Sequence, residues 1–153
     1  MGTTDNYRYI YPPNARRQDQ LDIMMRLEGE GKDPLDVKVI EQEVLFETES
    51  WYVSRNRFPY RGAKQHFLVV ANRPAYALEE VTPEMWQDLS QVLARITRDY
   101  GLEGGGLFLR FGDPACSGAS LKRLHWHVVQ PQEGEKVQFG LGGKRELAEG
   151  LHL

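Results

Sequence analysis

Two histidines one residue apart in an apolar setting are the side chains of this chain best suited to chemistry. They are His125 and His127, in the run Arg123-Leu124-His125-Trp126-His127-Val128-Val129-Gln130. Along an extended strand successive side chains alternate between faces, so residues i and i+2 share one. The two imidazoles would then stand side by side, roughly 6–7 Å apart, with Leu124, Trp126 and Val128 packed on the other face. Such a pair suits work on an anion, because one ring can attack while the other holds. Imidazole is also the side chain whose charge is most easily set near neutral pH.

A strand of this kind must be held by a core, and the chain is large enough to supply one. Its 153 residues are 41% hydrophobic, about the size of a single domain. Nineteen basic residues against 22 acidic ones leave a net charge of −3. That balance gives no electrostatic reason to expect a nucleic-acid or membrane-surface partner, while a small anion needs only a local cluster of donors. Cys116 is the single cysteine, which excludes an internal disulfide and a cysteine-rich zinc site and favours a reducing cytoplasm. No apolar run nears the roughly 20 residues of a membrane span. The first residues do not read as a signal peptide, and Asn6 stands where a myristoylation start needs Ser or Thr. A soluble cytoplasmic protein is expected.

Residues 1–14 read as an extended arm ending in Pro12-Pro13. Asn14 is expected to cap a helix running to about Glu28, with Leu21, Met24, Met25 and Leu27 as its apolar positions. Glycines and a proline in residues 29–36 end it. Val44–Glu47 and Trp51–Ser54 suggest a hairpin around a charged turn, residues 56–65 an irregular loop, and His66–Ala71 a buried strand. Thr82-Pro83 is a strong helix start, followed by apolar residues at helical spacing from Met85 to Tyr100 and by Gly101 as the stop. Leu107–Phe111 reads as a strand, Asp113–Ser120 as a small-residue loop feeding the histidine strand, and Lys136–Phe139 as a further strand in a polar tail. The sum is one α+β domain with an antiparallel sheet of about five strands, one main helix and an extra N-terminal helix.

The run Gly118-Ala119-Ser120-Leu121-Lys122-Arg123-Leu124-His125-Trp126-His127-Val128-Val129 resembles the signature of the histidine-triad (HIT) superfamily. Asn56-Arg57-Phe58-Pro59-Tyr60 and His66-Phe67-Leu68-Val69-Val70 look like the nucleotide-side loop and strand of its hydrolases and diadenosine polyphosphate phosphorylases. The resemblance covers roughly residues 44–130. It implies a HIT-like domain over 41–153; residues 1–40 lie outside the resemblance and are expected as an arm and helix packed on the domain. One departure stands out, since Arg123 occupies the position of the first triad histidine. His125 falls on the nucleophile position and His127 on the third, where galactose-1-phosphate uridylyltransferases carry Gln.

By that resemblance His125 attacks an α-phosphorus and forms a nucleotidyl-histidine that water or phosphate resolves. His127 contacts phosphate oxygens and Ser120 reaches a phosphate or leaving-group oxygen. Gly118 and Ala119, in the loop from Cys116, offer backbone N–H groups at close approach. Asn56 binds the ribose side, Phe58 flanks the base, and His66 matches a further histidine beside the triad. The Arg123 carbonyl keeps the hydrogen bond that sets the His125 tautomer, while its side chain brings a cation to the substrate side. The substrate is a dinucleoside polyphosphate or nucleoside phosphoramidate. No cofactor is required, although a divalent cation can accompany a polyphosphate, and a homodimer is the expected assembly.

Two other classes compete. A nucleotide-binding module with weak or no turnover would follow if Arg123 disables the site. A zinc site built on His125 and His127 with His66, His152 or Cys116 lacks a third ligand at a recognisable spacing. Cys116 has no feature that would activate a thiolate, and Ser117 and Ser120 lie outside a G-x-S-x-G elbow.

Overall fold

The computed structural model describes residues 6–153. The start of the chain that bears on myristoylation therefore lies outside the described residues. Five antiparallel strands form one sheet in the order β1-β2-β3-β5-β4. They are β1 Val44–Glu47, β2 Trp51–Arg55, β3 Ala63–Ala71, β4 Gly106–Leu109 and β5 His125–Pro131. The helices are α1 Gln18–Gly29, α2 Pro83–Asp99 and a single turn, α3 Pro114–Ser117. Among the described residues no helix is long and apolar enough to cross a membrane.

Alternation decides what each sheet face carries. Leu124, Trp126 and Val128 face α2, together with Trp51, Val53, Phe67 and Val69, and meet Met85, Leu89, Val92 and Ile96 of that helix. Thr82 caps α2 by accepting a hydrogen bond from the Met85 N–H at 3.2 Å, as its sequence predicts. Trp51 Nε1 donates to the Met85 carbonyl at 2.9 Å, which fixes the helix start against β2. The other face carries the histidines. In the register β3 sets Leu68 opposite His127 and Val70 opposite His125, while β4 sets Phe108 opposite His127.

Two smaller apolar clusters join the N-terminal segment to this second face. Leu35, Tyr52, Leu68 and Val70 form one, and Ile10, Ala15, Leu21 and Met24 the other; Leu121 packs against both. The arm runs antiparallel to the approach to β5, with Tyr11 N–H donating to the Ser120 carbonyl at 2.7 Å and Lys122 N–H to the Tyr9 carbonyl at 2.9 Å.

Several local expectations are corrected. Asn14 does not cap α1, whose N-cap is Arg17 with no side-chain cap bond. Its amide instead donates to the Pro114 and Ala119 carbonyls at 2.9 and 2.8 Å and its oxygen accepts from Lys144 N–H at 3.0 Å. Lys136–Phe139 forms no strand; Phe139 stacks on Phe108 with ring centroids 3.8 Å apart. β3 begins at Ala63, inside the stretch read as loop, and β4 ends at Leu109, leaving Phe111 exposed. Part of the expected Asp113–Ser120 loop is α3, because Asp113 caps the turn by accepting from Ala115 N–H and Pro114 sits in its first position.

Candidate active site

The second face of the sheet opens into a pocket of about 860 Å³, counted to its mouth, with both His125 and His127 in its wall. One part of the wall is apolar, from Ile23, Met24 and Leu27 of α1 with Ile40, Leu68 and Leu121. The other part holds the histidines, Ser120, Arg16, Tyr60 and Arg110. An apolar wall with a few converging polar groups is the usual form of a small-molecule site. The contribution of α1 was not legible in sequence, because its apolar stripe reads the same whether it covers a sheet or a ligand.

Hydrogen bonds assign the protons on His125, His66 and His127. His125 Nδ1 lies 2.8 Å from the Arg123 carbonyl, which can only accept, so Nδ1 carries the proton and Nε2 keeps its lone pair. The backbone N–H of Tyr60 donates to His66 Nδ1 at 3.1 Å, which puts the proton of a neutral His66 on Nε2. His66 Nε2 lies 2.9 Å from His127 Nδ1 and so donates to it. His127 consequently carries its own proton on Nε2. The outcome is an adjacent lone pair and N–H donor, with ring centroids 5.0 Å apart. Phe108 and Tyr60 both lie near-parallel to His127, at 4.6 and 5.6 Å and within 12°, and are themselves 6.2 Å apart, so the three rings pack as one group that holds the His127 plane.

Burial keeps these rings neutral. It pushes His66 down to about 3, helped by Arg16, His125 and Arg110. His127 is held well below its ordinary value by burial first and then by the neighbouring rings and arginines. His125 is also lowered, mainly by burial, against the opposing pull of the Arg123 carbonyl. An unfolded chain therefore takes up protons on these histidines before the folded one does. Stability present in full above about pH 6.5 should be lost as pH falls from there toward about 3, the His66 value. Urea midpoints should be flat between pH 7 and 8 and fall steeply below 6; a flat profile down to pH 5 would show that the rings protonate freely in the fold.

The remaining expected site residues divide. Ser120, Gly118, Ala119, Asn56 and Phe58 all line the pocket. Asn56 also closes a turn, its Oδ1 accepting from Phe58 N–H at 2.9 Å. The expectation that Gly118 and Ala119 offer backbone N–H groups is corrected. Gly118 N–H is bonded to the Pro114 carbonyl at 2.9 Å and Ala119 N–H to Ser117 Oγ at 3.2 Å, the first because α3 forms here. Gly118 is needed for shape: at φ +89° it brings the chain so near the tail that a Cβ would lie 2.7 Å from the Gly142 carbonyl.

Arg123 is corrected more sharply. Its side chain, 3% exposed, runs away from the pocket to the Ala71 and Asn72 carbonyls, at 2.9 and 2.8 Å, and to Asp33 Oδ2 at 3.5 Å. β5 sends alternate side chains to opposite sides, yet Arg123 lies just before the strand, where the turn redirects it. Only its carbonyl touches the site. Lys122 likewise reaches the arm, donating to the Tyr7 carbonyl. Residues missed in sequence are Asn14, Arg16, Tyr60 and Phe108, each brought in by contacts across the fold. Among the described residues no three His, Cys, Asp or Glu side chains are grouped to hold a metal ion, and His152 lies beside Gln18 at the start of α1.

Residues 37–134 match the model of the HIT domain family. A histidine triad nucleotide-binding protein from Candida albicans shares the fold at a TM-score of 0.54, with 19% identity over 73% of this chain and 80% of that one. A HIT family hydrolase from Legionella pneumophila superposes at 0.51, with 19% identity over 65% and 89%. A zinc-bound histidine triad family protein from Mycobacterium smegmatis does so at 0.53, with 21% identity over 71% and 78%. At these identities the solved structures speak to fold alone. No curated protein matches the chain.

Proposed function

Because the chain belongs to the HIT domain family, its match spanning residues 37–134, we propose that it is a nucleotide hydrolase or transferase acting at an α-phosphorus through His125. The observation that carries the reading is the proton arrangement: a lone pair on His125 Nε2 beside an N–H donor on His127, both fixed by hydrogen bonds of 2.8–3.1 Å. Names given to relatives, a nucleotide-binding protein and a hydrolase, agree with it.

In the step proposed, His125 Nε2 gives its electron pair to the α-phosphorus as the bond to the leaving-group oxygen breaks, and that oxygen departs with the bonding pair. The Nδ1 proton stays on the ring, held by the Arg123 carbonyl, so the developing positive charge has an acceptor in place. His127 Nε2–H and the Ser120 hydroxyl supply donors for phosphoryl oxygens. Water, releasing a proton to solvent through the vacated side, or phosphate then attacks the phosphorus from that side, the P–N bond breaks, and its electron pair returns to Nε2. The apolar wall from α1 takes the base and Asn56 with Phe58 the ribose side. No cofactor enters these steps, and a divalent ion would accompany only a polyphosphate.

Loss of turnover through Arg123 is the weaker reading, because that side chain lies outside the pocket with its own partners. A homodimer and a cytoplasmic setting belong to the proposal; the exposed Leu107 on β4, one of the two edge strands of the sheet, supports the first.

The test is a rapid alkaline quench, which preserves a P–N bond that acid would hydrolyse, of enzyme in excess over diadenosine tetraphosphate, followed by mass spectrometry of peptides kept at alkaline pH. A nucleotidyl adduct on His125 that forms and decays at the turnover rate is expected. Product released with no adduct at any time would mean direct attack by water. Product nucleotide that changes when phosphate is added would identify a phosphorylase.

A further inference from the structure

Arg16 and Arg110 bring two guanidinium groups to one side of the histidines, and among the described residues neither meets a carboxylate. Arg16 stands 4.6 Å over the Tyr60 ring and donates to the Phe58 carbonyl. Arg110 donates to Tyr60 Oη and to the Gly140 carbonyl, each at 2.9 Å. Its Nε is buried with no acceptor. That N–H lies beside the loop before β5, within 3.5 Å of where a Cβ on Gly118 would stand. A buried charged donor without an acceptor is costly, and the cost disappears when an anion enters. Arg57 makes the contrast: it lines the same pocket but is engaged by Glu41 at 3.4 Å.

We infer that Arg16 and Arg110 form a second anion subsite that receives the phosphates of the leaving group, so that the preferred substrates carry a polyphosphate at the α-phosphorus. The inference rests on the His125 reading for where the α-phosphorus sits, but the subsite itself rests on the two arginines. Guanidinium groups fit a departing phosphate for two reasons: they present planar pairs of donors, and they neutralise its charge without losing a proton. An amine leaving group needs the opposite, a proton given to it, which neither arginine can supply at neutral pH. Tyr60 links the two cations, bonded to one and stacked under the other, and it also packs on His127. The subsite is thereby joined to the ring that holds the reacting phosphate. Arg16 lies outside the matched residues 37–134, so this half of the subsite is supplied by the N-terminal segment.

The experiment compares wild type with Arg16→Gln and Arg16→Lys; Arg110 also holds Gly140 and Tyr60 and is less clean to replace. One arm measures kcat/KM for diadenosine tetraphosphate and for adenosine phosphoramidate. The other measures binding of inorganic tripolyphosphate and of AMP by calorimetry at low salt. Arg16→Gln should reduce the ratio of the two kcat/KM values, and the tripolyphosphate affinity relative to AMP, by roughly 10- to 100-fold, the worth of one charged hydrogen bond. Arg16→Lys, which keeps the charge, should recover part of both. An unchanged ratio together with unchanged tripolyphosphate affinity in a folded Gln variant would overturn the inference. If wild type turned over neither substrate, the His125 reading would fail, and the tripolyphosphate arm would still decide the subsite.

Discussion

Replacing His125 by alanine should reduce turnover by a factor on the order of 10⁴ or more, while nucleotide affinity stays close to that of the wild type. The asymmetry follows from what the ring touches. Its Nδ1 is occupied by the Arg123 carbonyl and its Nε2 holds the lone pair, so the ring offers a ground-state phosphate no N–H donor. Affinity should come from elsewhere: apolar burial against Ile23, Met24, Leu27 and Leu68, and donors from Ser120, His127 and the arginines. Removing His125 therefore removes an interaction made only as the bond forms. Single-turnover rates and fluorescence titration with AMP measure the two quantities separately. Turnover that survived in the alanine variant would move the attack to water. A collapse of affinity with the rate at saturation preserved would make His125 a binding group. The neutral state of the ring matters equally, because a protonated His125 has no lone pair to give; the burial that lowers it leaves the Nε2 lone pair in place at neutral pH.

What could be read beforehand was local. The i, i+2 spacing put His125 and His127 on one face and Leu124, Trp126 and Val128 on the other, and the sheet keeps that division. Thr82-Pro83 and Gly101 bounded α2 because caps are written within one turn of the helix they end. Asn14 was misread for a related reason. A capping residue ahead of an apolar periodic run looks the same whether its side chain turns to its own helix or to carbonyls 100 residues away, and here Pro114 and Ala119 win. The tail misled because period-two alternation at Lys136–Phe139 says nothing of a partner strand; stacking on Phe108 takes its place. The backbone donors of Gly118 and Ala119 carried a warning in Asp113-Pro114, a helix start too short to stand out in sequence, which consumes them in a turn. Tyr60, Arg16 and Phe108 had no local signature, since their roles come from the register of β4 on β5 and from the return of α1 over the sheet.

Arg123→Met should cost about 3–5 kcal/mol of unfolding free energy, because it breaks a buried pair and leaves one charge behind. Asp33, 8% exposed, would lose the guanidinium 3.5 Å away, and the Ala71 and Asn72 carbonyls would lose their donors. Leu35 N–H and Tyr76 Oη, both 2.9 Å from the Asp33 carboxylate, soften the loss without cancelling its charge. The double variant Arg123→Met with Asp33→Asn should recover much of it, since the stranded charge goes too, and urea unfolding of the four proteins closes the cycle. If the double variant is no better than the single one, the carbonyls rather than the charge dominate. The folded fraction of Arg123→Met should still turn over substrate, because the main-chain carbonyl that sets the His125 proton survives every substitution at 123. The same reasoning decides Arg123→His, the change that would place a third histidine two residues ahead of His125. An imidazole is too short to reach both carbonyls and Asp33, so this variant should be less stable and no faster. A gain in turnover would mean that the arginine had been holding the site back. At position 123 the backbone carbonyl meets His125 while the side chain anchors the segment around Asp33 to the end of β3, so the two parts of Arg123 can be changed separately.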